Sequence, residues 1–232
     1  MKHILYKIFI GKPDYNKKLR YSAFHTYKVE LKKIWNNEKH DDVGFEKMLR
    51  LVLVSIQIIF PGLHVRTLFG RFGTIGRNTA VEFFVLFKTL LPLFFLMNGL
   101  YTHPAAMIIS AYLLLETLCY VASLIFVSDM FVKPRSYRRN ILMLSLNYLE
   151  ICLSFAVLYA GMHLLGDTPQ DYIDYIYFSI ITATTVGFGD MHPVTHFGKI
   201  LVSVQAVMVV AFVVLFLNFF GSKVEVIHND EE

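Results

Sequence analysis

The segment Thr185-Val186-Gly187-Phe188-Gly189 has residue types suited to surrounding a cation with backbone oxygens. Carbonyl groups can replace the water around an ion only if successive carbonyls point to one axis, which requires left-handed backbone angles at alternate residues. Gly187 and Gly189 adopt such angles at little steric cost. The hydroxyl of Thr185 adds a further oxygen ligand. The pattern therefore favours a narrow site for a dehydrated cation.

The composition of the chain places this segment in a membrane protein. Hydrophobic residues make up 55% of the 232 residues and charged residues 17%, a balance typical of membrane proteins. A helix needs about 20 mostly apolar residues to cross a bilayer. Four segments reach this length, at residues 79–100, 104–127, 140–165 and 197–220, whereas the apolar run 51–60 is too short and is expected at the interface. The predicted fold class is an all-α membrane protein with four transmembrane helices per chain.

The distribution of basic residues predicts the orientation. More than half of the 22 lysines and arginines fall in residues 1–50, and four more fill the link 131–139, whereas residues 166–198 contain none. Because cytoplasmic loops carry the excess of Lys and Arg, both termini are expected in the cytoplasm of a cell whose plasma membrane holds the protein. The segment 185–189 then lies toward the outside.

The residues between the third and fourth spans predict a re-entrant loop. The apolar stretch 171–183 is long enough for a short helix but too short to cross, and Asp171 lies near its start, where a carboxylate favours the positive end of the helix dipole. The residues that follow are irregular, and irregular backbone at membrane depth is tolerated only in protein or beside a watery cavity. A pore helix followed by an extended segment is therefore expected.

The stretch TATTVGFGD, residues 182–190, closely resembles the selectivity-filter signature of tetrameric pore-loop potassium channels. The resemblance covers about residues 140–221, with PVTHFGK resembling the usual start of the inner helix. It implies a homotetrameric pore that conducts K+ as the permeant ion, with no organic cofactor. It also implies that K+ is bound by carbonyls of Thr185, Val186, Gly187 and Phe188, that Gly189 completes the filter, and that Asp190 lies behind the outer mouth.

Three departures from the family concern the support of the filter. Phe188 stands where many relatives have tyrosine, Tyr177 and Phe178 stand where tryptophan is common, and Ile181 stands where some relatives have a buried carboxylate. The support is therefore expected to be more apolar. Its main remaining polar contact is predicted to be a hydrogen bond from the Tyr177 hydroxyl to Asp190 of the same or a neighbouring subunit.

The last span predicts an apolar cavity and gate. By family position and helical spacing, the residues facing the cavity are Ala206, Val210, Val213 and Leu217. A hydrophobic gate that closes by dewetting is expected near Leu217 to Phe220. Lipid contact or helix packing is the alternative for each of these residues.

Two charged residues lie near the middle of predicted spans, Lys88 in the first and Glu116 in the second. A lone charge at mid-membrane costs about 2.5 to 3.5 kcal/mol, so a pair between neighbouring helices is predicted, with Glu150 as the alternative partner. A structural role is favoured over a sensing one. No span carries a basic residue at every third position, so a charged-helix voltage sensor is not expected.

The N-terminal region has an amphipathic pattern. Phe24, Tyr27, Leu31 and Ile34 recur at helical spacing, which suits either contact with anionic lipids of the inner leaflet or packing on the protein's own cytoplasmic surface. The chain divides into a basic region 1–46, an interfacial helix and connector 47–78, a two-helix membrane unit 79–130, a basic link 131–139, a pore domain 140–221 and a cytoplasmic tail 222–232.

The expected function is that of a potassium-selective channel rather than an enzyme. No nucleophile lies beside a base in a recognisable motif, and no nucleic-acid-binding module is present in the sequence. The partners expected are further copies of the chain and membrane lipids. Two alternatives stay open: a weakly selective cation channel, and a non-conducting membrane sensor or adaptor on a channel fold.

Overall fold

A computed structural model describes residues 23–37, 43–127, 137–166 and 171–229, with side chains except those of 23, 137 and 218–229. These ranges form eight α-helices: α1 Ala23–Trp35, α2 Gly44–Ile56, α3 Pro61–Phe69, α4 Gly73–Met97, α5 Pro104–Phe126, α6 Tyr137–Gly161, α7 Tyr172–Ala183 and α8 His196–Asn229. Within the same ranges, β pairing is limited to an isolated bridge between Leu165 and Pro193. The prediction of an all-α protein is confirmed.

Four helical segments are long and apolar enough to cross a bilayer: Pro61–Met97, Pro104–Phe126, Arg138–Gly161 and His196–Leu217. They correspond to the four predicted spans, and the protein is an integral membrane protein. α2 has 13 residues, fewer than the about 20 that a crossing requires.

Two helices extend beyond the apolar segments that predicted them. α4 begins at Gly73, inside the stretch predicted as a connector, and α8 continues to Asn229 rather than ending near residue 220. Hydropathy marks the part of a helix that suits hydrocarbon, whereas the backbone hydrogen bonds continue into polar turns. Residues 73–78, predicted as part of a connector, form the first turns of α4.

The chain divides into two compact units, and the first comprises Met1–Leu86 with Ala122–Val132. In its described part, Ile34 of α1 packs with Leu53 and Val54 of α2, and Tyr27 and Leu31 lie against the same cluster. Packing within the chain is thus the alternative that the structure supports for these α1 residues, and contact of α1 with anionic lipid stays a prediction.

A neighbouring face of α1 has a different character. Lys28 and Lys32 are exposed, Trp35 is 68% exposed, and the Lys28 ammonium lies 4.8 Å from the centre of the Phe24 ring. The Tyr27 hydroxyl donates to Oε1 of Gln57 in the segment that follows α2. α1 therefore uses one face for packing and presents a basic face that ends in an aromatic residue.

The second unit comprises Phe87–Val121 with Lys133–Glu232. α6 lies at its centre, because it contacts both α7 and α8 and buries side chains all around its axis. A helix that is buried on all sides is mostly apolar all around. The apolar residues of α6 that are at most 2% exposed include Ile151, Cys152, Phe155, Ala156, Val157, Tyr159 and Ala160. α6 is the scaffold on which the following loop and helices are placed.

Candidate functional site

α7 begins with a reciprocal cap. The Asp171 carboxylate accepts a hydrogen bond from the Tyr172 N–H at 2.6 Å, and the Asp174 carboxylate accepts from the Asp171 N–H at 3.3 Å. The two carboxylates satisfy free N–H groups and lie at the positive end of the helix dipole. The predicted short helix after Asp171 is confirmed, and its C-terminal end leads into the 185–189 segment.

The sign of the backbone angle φ alternates along the 185–189 segment. Thr185, Gly187 and Gly189 have φ angles of 59°, 53° and 81°, while Val186 and Phe188 do not share this left-handed conformation. A Cβ added at Gly187 or Gly189 would meet no heavy atom within 4 Å, so the backbone angle rather than lack of space favours glycine. The predicted angles at the two glycines are present, and Thr185 continues the alternation.

The amide groups of this segment point back to α7. The N–H groups of Val186 and Gly187 both donate to the carbonyl oxygen of Ile181, at 3.0 and 3.3 Å. Among the described residues, no hydrogen bond uses a carbonyl oxygen of residues 185–189. The segment is therefore anchored through its donors, and its acceptors are available to a ligand.

Residues predicted to support the segment are close to it. The Tyr177 hydroxyl donates to the Asp190 carboxylate of the same chain at 2.8 Å, which confirms the predicted hydrogen bond. This hydrogen bond, more than partial burial, raises the pKa of Tyr177 above its ordinary value. Phe178 and Ile181 are buried, and the Phe178 ring meets the Tyr159 ring edge-on with centroids 5.1 Å apart.

Polar contacts behind the segment go beyond the predicted one. Gln205 of α8 hydrogen-bonds to Ser179 of α7 and to Tyr159 of α6, and the Tyr148 hydroxyl donates to the carbonyl oxygen of Ala183 at 3.1 Å. None of these contacts was predicted from the sequence. A signal was present, because Gln205 is a polar residue within an apolar span and such residues are rarely without a partner.

A charged cluster joins three helices of the second unit, but its members differ from the first-choice prediction. The Lys88 ammonium donates to the Thr117 hydroxyl at 2.7 Å and lies 3.9 Å from the Glu150 carboxylate, to which Thr117 also donates. The predicted Lys88–Glu116 pairing is therefore corrected to the alternative, Glu150. Glu116 is one residue from Thr117 and so points about 100° away around α5.

The residues predicted to line a cavity lie on exposed positions of α8 in the single chain. They are Ala206, Val210, Val213 and Leu217, whereas the side chain of Phe220 lies outside the described residues. A cleft of about 580 Å³ opens beside the start of the 185–189 segment, with a lining that includes Tyr148, Leu149, Thr184, Thr185, Val213 and Phe216. The structure thus brings Val213 and Thr185 to one cleft.

The described residues define a helical membrane protein with a short helix, α7, and the 185–189 segment between its last two spans. Residues 146–226 match the family model described as "Ion channel". Comparisons with curated proteins and with solved structures give no match. The chain therefore carries an ion channel domain, formed by most of α6, by α7 and the 185–189 segment, and by most of α8, and this family is one of channels rather than enzymes.

Proposed function

We propose that the protein is a homotetrameric potassium channel in which four copies of the 185–189 segment surround one axis. The observation that carries this proposal is the alternation of left-handed angles at Thr185, Gly187 and Gly189. With the N–H groups of Val186 and Gly187 bound to Ile181 of α7, the carbonyl oxygens of this segment replace the water around a K+ ion. The Thr185 hydroxyl adds a ligand at the inner end.

Two further features support assembly from several copies. Val186 and Phe188 are 54% and 70% exposed in the single chain, and burial of these apolar side chains by neighbouring copies is favourable. The C-terminal end of α7 leads directly into Thr184 and Thr185, which places the negative end of a helix dipole at the inner side of the ion path. Both features fit a pore shared by neighbouring chains.

The gate in this proposal lies at the cytoplasmic end of α8. Ala206, Val210, Val213 and Leu217 form an apolar row along the helix, and the row continues toward Phe220 in the sequence. Four such rows around an axis exclude water when they approach one another, and the dewetted constriction stops ion flow. Orientation with both termini in the cytoplasm of the cell completes the proposal.

A flux experiment with matched glycine variants tests the proposed function. Gly187 and Gly99 both have left-handed angles and open space where a Cβ would go, so Gly187→Ala and Gly99→Ala carry the same strain of about 1 to 2 kcal/mol. Purified protein in liposomes should conduct K+ in preference to Na+. Gly187→Ala should abolish this preference, whereas Gly99→Ala, in the turn before α5, should leave it unchanged.

The other outcomes distinguish the alternatives. Equal K+ and Na+ flux through the unaltered protein would identify a weakly selective cation channel. No flux, from protein that native mass spectrometry shows as a stable complex, would favour a non-conducting sensor or adaptor. A mass other than that of four chains would contradict the homotetramer.

A further inference from the structure

A buried hydrogen-bond network connects the three helices around the proposed filter. Gln205 is 0% exposed near the middle of the span His196–Leu217. Its Nε2 donates to the backbone oxygen and to the hydroxyl oxygen of Ser179, both at 2.9 Å. The Tyr159 hydroxyl donates to Oε1 of Gln205 at 2.7 Å, and the Ser179 hydroxyl donates to the carbonyl oxygen of Cys152 at 2.7 Å. The network therefore joins α8 to α7 and both to α6.

Every donor in this network has an acceptor, and only one orientation of the amide achieves this. Two acceptors, the Ser179 backbone and hydroxyl oxygens, face the NH2 group of Gln205, and one donor, the Tyr159 hydroxyl, faces its oxygen. A reversed amide would place oxygen against oxygen at Ser179, and so would a glutamate. The position is therefore specific for an uncharged side chain with both a donor and an acceptor.

Ser179 is two residues before Ile181, whose carbonyl oxygen accepts the N–H groups of Val186 and Gly187. A contact that fixes Ser179 along α7 thus fixes the acceptor that orients the 185–189 segment. Apolar side-chain contacts alone permit two helices to slide along each other. A hydrogen-bond network in which every group has its partner fixes one position of α7 along α8.

We infer that Gln205 is a positioning residue for ion selectivity: it holds α7 at the depth on α8 at which the carbonyl oxygens of residues 185–189 fit a potassium ion. The inference rests on the proposed function. It adds that the inner helix, rather than the contacts at the outer mouth alone, sets the geometry of the filter. Movement of α8 at Gln205 is then transmitted to the filter through one amide.

The test uses Gln205→Leu, which keeps the volume and removes the hydrogen bonds, and Ser179→Ala, which removes one acceptor and leaves the other. Ser203→Ala is the matched control, because the Ser203 hydroxyl donates to the Lys199 carbonyl of the same helix. The purified full chain in detergent is heated in KCl and in NaCl, and its K+/Na+ permeability ratio is measured in bilayers. An ion that binds only the folded assembly raises its stability.

Gln205→Leu should lower the K+/Na+ permeability ratio about tenfold, as expected when a buried hydrogen-bonding partner is lost. It should also remove most of the difference between the melting temperatures in KCl and in NaCl. Ser179→Ala should do the same to a smaller extent, and the effects of the two changes should be less than additive because they share the Gln205–Ser179 contact. Ser203→Ala should change neither quantity.

A purely structural role predicts a different pattern. With such a role, Gln205→Leu would lower the melting temperature equally in KCl and in NaCl and leave the permeability ratio unchanged. This result would overturn the inference while the proposed function stands. If Gln205→Leu fails to assemble, Ser179→Ala and Tyr159→Phe decide the matter by the same criteria. An unaltered protein that shows neither K+ preference nor K+ stabilisation would overturn both proposals.

Discussion

Three left-handed residues determine which way the carbonyls between α7 and α8 can face. Glycine at 187 and 189 made two of these angles predictable from the sequence, because glycine is the usual residue at such positions. Thr185 was not predictable, since a β-branched residue with a φ of 59° is a steric outlier. Such strain costs about 1 to 3 kcal/mol and persists only where the surroundings enforce it. Here the Thr185 N–H donates to the Thr182 carbonyl at 3.2 Å.

The Tyr177–Asp190 hydrogen bond predicts a pH dependence at the outer end of the segment. Because the pKa of Tyr177 is raised above its ordinary value, the phenol stays a donor through neutral and mildly alkaline pH. The contribution of this bond is complete below the ordinary tyrosine pKa of about 10 and is lost as the pH rises through the raised value. Stabilisation by KCl should therefore fall only in strongly alkaline solution.

Melting in KCl and in NaCl across the pH range checks this expectation. Tyr177→Phe should give weaker KCl stabilisation that lacks the alkaline step. Tyr172→Phe alters another tyrosine of α7 whose hydroxyl makes no hydrogen bond among the described residues, and it should keep the step. An alkaline step that survives in Tyr177→Phe would assign it to another group.

At the scale of elements, hydropathy and charge predicted the spans and α7, but not the contacts between helices. The Lys88 partner depends on how α4, α5 and α6 are rotated about their axes, and a one-residue difference on α5 turns a side chain by about 100°. The sequence therefore favoured Glu116 as the partner of Lys88 and left Glu150 as the alternative. The Gln205–Ser179 contact escaped for the same reason, since it depends on the depth of α7 against α8.

The charged cluster predicts a non-additive pattern of stability. Lys88→Met should destabilise the protein by about 3 to 5 kcal/mol, because it leaves the Glu150 carboxylate buried without its cation. Lys88→Met with Glu150→Met should recover a large part of this loss, since neither charge is then buried. The measurement is chemical unfolding in detergent, read from far-ultraviolet circular dichroism.

A second cycle separates the two candidate partners. The coupling energy between Lys88 and Glu150 should exceed that between Lys88 and Glu116, because the structure places Lys88 on Thr117 and Glu150. Larger coupling to Glu116 would contradict the arrangement of the three helices.

At the scale of the whole molecule, the distribution of lysine and arginine predicts which loops face the cytoplasm. Both native cysteines, Cys119 and Cys152, are buried. A single added cysteine can therefore be labelled with little background from the native thiols. Thr102 lies in the turn between α4 and α5 and Arg138 at the start of α6, and both are exposed. In intact cells, a membrane-impermeant maleimide should label Thr102→Cys.

Arg138→Cys should be labelled only after the membrane is opened, because the positive link before α6 belongs on the cytoplasmic side. The unaltered chain, with its two buried thiols, is the control for background labelling. Labelling of Arg138→Cys in intact cells would reverse the orientation and place the 185–189 segment toward the cytoplasm.

The exposed aromatic residue at the end of α1 has a practical consequence. Trp35 is the sole tryptophan of the sequence, so light of a wavelength that tyrosine does not absorb excites one known place in the chain. The wavelength of its maximum fluorescence emission depends on the polarity around the indole, and quenching by an added reagent reports how accessible the indole is. The first compact unit thus contains its own fluorescent reporter, and a change in its surroundings can be followed without attaching a dye.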